Sequence, residues 1–99
     1  MKKDDFVTEV MFRKFTKGDI IALFPYDVDY HGNCTSYMHV GQHSGADFGG
    51  VLMCTHPAKE NEYSDLKTEL ESLGYDLKVI SRRNNRKYIS AIREIRNNY

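Results

Sequence analysis

Residues 34–55 read CTSYMHVGQHSGADFGGVLMCT, and the fold turns on where strand gives way to loop within them. Cys34, Ser36, Met38 and Val40 alternate with Thr35, Tyr37, His39 and Gly41. That two-residue period predicts a strand over 34–41, with one core-like face and one polar, ligand-like face. Gly45, Gly49 and Gly50 predict a bend over 45–50. The apolar run VLMCT at 51–55, closed by His56 and Pro57, predicts a further strand.

On the N-terminal side, VMFRKF at 10–15 and IIALF at 20–24 flank TKGD, the signature of a β-hairpin. The second run is apolar on both faces, so it is expected at the centre of a sheet and to stop at Pro25. On the C-terminal side, Tyr63, Leu66, Leu70 and Leu73 have helical spacing. Pro57, Glu60 and Glu62 suit the start of that helix, and Gly74 its end. Residues 77–80 predict a strand. Tyr88, Ala91, Ile92, Ile95 and Tyr99 form a second helical stripe. The expectation is a single α+β domain over 1–99, with residues 1–8 disordered. It has a mostly antiparallel sheet of about five strands and two helices, in the order β-β-β-β-α-β-α. Helical cover on one face would leave the His39 face open.

At 99 residues, 40% hydrophobic and 28% charged, the chain has the composition of a globular domain. It lacks the long apolar run of a transmembrane helix and the apolar region of a secretory signal. A cytoplasmic location with no membrane partner is therefore expected. Cys34 and Cys54 match no metal or redox spacing and are expected as two buried thiols. The net charge is zero. Seven Lys/Arg and twelve Asp/Glu fall in residues 1–75, and seven Lys/Arg against Asp76 and Glu94 fall in 76–99. A basic C-terminal end either meets an anion or lies on the acidic body of the same chain or of a neighbour.

Five chemistries are open to these residues. His39 and His43 could share a metal with Asp47 or His31 only if the chain folds back near Gly41. Four strand residues span about 13 Å, whereas each zinc ligand sits about 2 Å from the ion. Ser44, Cys34 or Cys54 could act as a nucleophile, yet no activating elbow surrounds them. Gly41 to Gly45 could cradle an anion on backbone N–H groups. Tyr37 and His39 could add flat rings, and Arg82, Arg83, Arg86 and Lys87 could add charge. The run KVISRRNNRK at 78–87 could meet nucleic acid, although no nucleic-acid signature is present. Asp27, Asp29, Glu60, Glu62, Asp65, Glu69 and Glu71 could face a basic protein partner.

FRKFTKGDIIALFP, SYMHVGQHSGAD and HPAKENEYSDLKTELESLGYDLKVISRR together resemble a group of small uncharacterised proteins carried by phages and mobile elements. The resemblance covers roughly residues 10–88. It implies an accessory protein inside a bacterial cell, with an anti-defence role among its options, that binds and blocks rather than catalyses.

The leading expectation is thus a non-enzymatic binding protein for a phosphate-bearing ligand, a nucleotide or nucleic acid. Its site would comprise Tyr37, His39, Gln42, His43, Ser44, Asp47, Arg82, Arg83 and Arg86, with no catalytic residue, metal or cofactor. The alternatives are an inhibitor of a host protein acting through its acidic surface, and a small hydrolase or metalloenzyme around His39, His43 and Asp47. A homodimer through the C-terminal helix is also expected.

Overall fold

The computed structural model describes residues 7–38 and 43–98. Nine elements follow one another: β1 (Val7–Phe15), β2 (Ile20–Val28), β3 (Cys34–Tyr37), β4 (His43–Ala46), α1 (Phe48–Cys54), β5 (Thr55–Pro57), α2 (Glu60–Ser72), β6 (Asp76–Val79) and α3 (Asn85–Asn97). The strands run β4-β3-β2-β1-β5 across one mostly antiparallel sheet, and β6 lies parallel to β1. The fold is α+β, but the expected five strands and two helices in the order β-β-β-β-α-β-α are overturned. Among the described residues there are six strands and three helices, in the order β-β-β-β-α-β-α-β-α.

The error lies in residues 43–57. The predicted bend holds an edge strand, β4, which pairs Ser44 with Ser36 and His43 with Tyr37. A four-residue polar edge strand with a glycine has no apolar alternation to reveal it. The run at 51–55 is mostly helix. Phe48, Val51 and Leu52, at spacings of 3 and 1, share one helical face and pack into a core with Met11, Ile21 and Leu23. Met53 on the other side is 89% exposed. Thr55 Oγ1 donates to the Val51 carbonyl at 2.7 Å. Arg13 then closes the helix end from β1, donating to the carbonyls of Leu52 at 3.2 Å and Thr55 at 2.7 Å. A cation on the last carbonyls of a helix is favourable. Only Thr55–Pro57 joins the sheet.

β2 also runs past its expected end. Pro25 lies inside it, at a register shift between Phe24 and Val28 that excuses the missing N–H. β1 begins at Val7, so residues 7 and 8 belong to the sheet. Residues 1–6 lie outside the described residues. The helix expected from Tyr63 to Leu73 is α2. It ends with the N–H of Tyr75 on the carbonyl of Leu70 and that of Gly74 on Glu71, a Schellman cap. Gly74 has φ +106°, a conformation that favours glycine.

Both faces of the sheet are covered, not one. Leu66 and Leu70 of α2 pack on Val10, Phe12, Ala22, Phe24 and Tyr37. α1 and α3 cover the opposite face, where Ile92 joins Met11, Leu23, Val28 and Cys34. Tyr88, Ala91 and Ile95 pack on the same cluster. The cover for the stripe from Tyr88 to Ile95 is therefore the chain's own sheet, and a second copy is not needed to bury that part; Tyr99 lies outside the described residues. Accordingly, Ile92→Asp combined with Ile95→Asp should abolish cooperative unfolding in circular dichroism melts. Two carboxylates in an apolar cluster cost several kcal/mol, against a total stability of about 5–15 kcal/mol. A variant that melts as sharply as the parent would show that the stripe is not core.

Candidate functional site

An open groove of about 1020 Å³ lies between α3 and the strands β1, β2 and β6. Its charged and polar lining comes from four elements: Thr8 and Glu9 of β1, Tyr26 and Asp27 of β2, Lys78 of β6, and Arg86, Lys87, Ser90 and Glu94 of α3. The chain brings them together in simple ways. The parallel register of β6 on β1 sets Glu9 opposite Lys78, and residues opposite one another in a sheet share a face. Helical spacing puts Arg86, Ser90 and Glu94 in one row. Tyr26 ties β2 to the start of α3, because its hydroxyl accepts from the Asn84 N–H at 2.7 Å. The Asn84 side chain in turn caps α3 by accepting from the N–H groups of Arg86 and Lys87.

The groove is charged but balanced. Lys87 pairs with Glu9 at 2.7 Å, and its ammonium lies 5.0 Å from the centre of the Tyr26 ring. The hydrogen bond to Glu9 raises the pKa of Lys87, against a smaller opposing effect of burial. Lys78, Arg86, Asp27 and Glu94 make no ion pair among the described residues. The groove thus offers cations for an anion, carboxylates and a hydroxyl for hydrogen-bond donors, and an aromatic ring.

The residues singled out from the sequence do not form one site. Arg86 lines the groove. Tyr37 is buried at 1% exposure on the α2 face, where its hydroxyl donates to the Glu69 carboxylate. His43 lies beside Tyr37, with ring centroids 4.6 Å apart, and meets the Tyr75 hydroxyl at 3.0 Å. Ser44, the next residue on β4, points to the opposite face and contacts Ser36. Adjacent strand residues on opposite faces cannot act as a serine–histidine pair. Asp47 sits at the start of α1 without a side-chain capping bond. Arg82 is exposed, and Arg83 is held between the rings of Phe48 and Tyr88. His39 and Gln42 lie outside the described residues. Among the described residues, no group of three or more His, Cys, Asp or Glu side chains could hold a metal ion.

Much of the acidic surface is already engaged. Glu62 pairs with Lys14, Glu71 with Lys67 at 3.8 Å, and Glu69 with Tyr37. Asp29 accepts from the N–H groups of His31 and Asn33 and shapes its own loop. Sequence reasoning missed Glu9, Tyr26, Ser90 and Glu94 as site residues. Their only signal was the i, i+4 spacing of Arg86, Ser90 and Glu94. Comparison with protein families, with curated proteins and with solved structures finds no match to this chain.

The thiols also differ from expectation, since Cys34 is buried but Cys54 is exposed at the end of α1. Burial pushes the Cys34 thiol up to about 11, although the nearby charge of Arg83 pulls the other way. A thiol with so high a pKa is almost wholly protonated at pH 8, and the thiolate is the reactive form. Ellman's reagent at pH 8 should therefore titrate one thiol in the folded protein and two in guanidinium. Rapid reaction of both native thiols would show that the β3 core is open.

Proposed function

We propose that the protein is a non-enzymatic binding protein that takes a nucleotide-like, phosphate-bearing ligand in the groove beside α3. The observation that carries this reading is the set of three cations, Lys78, Arg86 and Lys87, on one groove with the Tyr26 ring. Arginine and lysine meet phosphate oxygens by charge-assisted hydrogen bonds. Asp27, Glu94 and Ser90 offer acceptors for sugar hydroxyls or a base amine. The volume exceeds what a mononucleotide fills, and the open side leaves room for a ligand that projects outward.

Charge balance favours a small ligand over a nucleic acid. Three carboxylates, Glu9, Asp27 and Glu94, stand among the three cations. A polyanion laid along the groove would meet repulsion as often as attraction, whereas a single phosphate cluster can seat on Lys78 and Arg86 alone. The sequence resemblance to phage and mobile-element proteins adds the context we propose: an accessory role inside a bacterial host, with sequestration of a signalling or metabolic nucleotide as its means. Inhibition of a host protein through the acidic surface is the weaker reading, because Glu62, Glu69 and Glu71 have partners within the chain.

Calorimetric titration with nucleoside mono-, di- and triphosphates tests the proposal. At least one should bind saturably, and its affinity should fall as ionic strength rises. Lys78→Ala with Arg86→Ala should weaken binding by roughly tenfold to a hundredfold, the loss of one or two charge-assisted contacts. Because both side chains are exposed, the melting temperature should barely move. Failure of every nucleotide to bind, or equal binding by the double variant, would sink the assignment. Tighter binding of a single-stranded oligonucleotide than of any mononucleotide would move it to nucleic acid.

A further inference from the structure

On the other side of the α3 start, Arg83 is held in an unusual way. Its guanidinium carbon lies 4.2 Å from the centre of the Phe48 ring and 3.7 Å from that of Tyr88. Both rings are anchored. Phe48 is 6% exposed in the core beneath α1, and the Tyr88 hydroxyl donates to the Gly32 carbonyl at 3.3 Å. The segment that carries Arg83 is tied at its two ends, where Ile80 donates to the Val10 carbonyl at 2.9 Å and Asn84 donates to the Tyr26 hydroxyl.

What this clamp lacks is a counter-charge. Arg83 makes no hydrogen bond and no ion pair among the described residues, and its Nε is buried without a partner. A guanidinium kept only to fill the slot between two rings would be a poor choice, because an apolar side chain of similar length fills it without desolvating a cation. The arginine differs from such a filler in its planar fork, which matches an oxyanion. Two rings crowd the guanidinium carbon and Nε is buried, which leaves the terminal nitrogens as the donors open to a ligand, and holding the side chain in advance lowers the entropy cost of binding.

We propose that Arg83 is the seat of a second anion site, separate from the groove, which receives a phosphate group edge-on at the terminal nitrogens. Arg82, the adjacent residue, is exposed and supplies a second positive charge. Two cations favour a phosphate dianion over a singly charged carboxylate. The site needs neither Lys78 nor Arg86, and it stands whether or not a nucleotide occupies the groove.

The test uses the full chain, inorganic phosphate as probe, and NMR of the arginine Nε–H signals. One such signal, identified by its absence in Arg83→Lys, should be sharp and protected because Nε is buried. It should shift saturably as phosphate replaces chloride at constant ionic strength, and respond more weakly to acetate. Arg86→Ala should leave that response intact. The thermal melts are made in the Lys78→Ala, Arg86→Ala background, where the groove's cations cannot contribute: there Arg83→Lys, which keeps the charge but loses the fork, should weaken phosphate stabilisation at least about tenfold in apparent affinity. Arg83→Met, which fills the slot without charge, should abolish it. A non-saturating shift, or one lost with Arg86→Ala, would overturn the proposal, as would phosphate stabilisation that survives in Arg83→Lys. Acetate acting as strongly as phosphate would overturn the preference for a dianion.

Discussion

The structure depends on how the outer edge of β1 is shared. β1 is nine residues long and pairs with β2 along one edge. Its other edge is divided: Val7 to Val10 pair with β6 in parallel, and Arg13 to Phe15 pair with β5 antiparallel. Neither partner strand is long enough to take the whole edge. The division dictates the connections. β5 must be reached from β4 at the far side of the sheet, and α1 crosses one face to do so. β4 and β5 run in the same direction at opposite sides of the sheet, the case that needs such a crossover. β6 runs antiparallel to β5 on the same edge of β1, and α2, which joins them, packs on the other face. Two of the three helices are thus the connections that reach the divided edge.

Two covered faces settle where polar chemistry can reside. Tyr37 and His43 lie on a face that α2 occupies, and Tyr37 is spent on the core and on Glu69. On the other face, α3 covers Met11, Leu23 and Val28 with its apolar side but leaves its basic side over Glu9, Lys78 and Tyr26. The groove is the part of the sheet that α3 does not reach. Its charged rim and the buried stripe are two sides of the same helix, and the amphipathic pattern that folds the chain also builds the site.

Some of this was legible in the sequence. The hairpin, the central place of residues 20–24, the periodic stripes of α2 and α3, and the Gly74 cap rest on strong local signals, and each is present. The miss at residues 43–57 arose where two signals conflicted. Val51, Leu52 and Cys54 read as strand by composition, but Phe48, Val51 and Leu52 read as helix by period, and burial against Met11 and Ile21 selects the helix. Gly49 and Gly50 weaken that helix intrinsically, so it depends on tertiary cover and on Arg13 at its end. β4 could not be read, because pairing with β3 rather than side-chain pattern makes it a strand. The dispersal of the chosen site residues has the same origin: nearness along 37–47 does not survive an alternating strand, a turn and a helix start. The groove draws on β1, β2, β6 and α3, and only the topology brings those together.

The start of α3 joins helix stability to the charge of the groove. Arg86 and Lys87 stand in its first turn, with no acidic residue there. Cations near the positive end of a helix dipole typically cost about 0.3–1 kcal/mol each. Part of that cost is offset from outside the helix, by the Asn84 cap and by Glu9 reaching across from β1 to Lys87. The Asn84 cap is local and forms with the helix, but the Glu9 contact exists only once α3 has docked on β1. An anion placed among Lys78, Arg86 and the α3 start would relieve what remains, and only the folded chain offers that arrangement. Any such ligand stabilises the fold by mass action, about 2.7 kcal/mol at a hundred times its dissociation constant. In a domain of this size that is a substantial share of the whole.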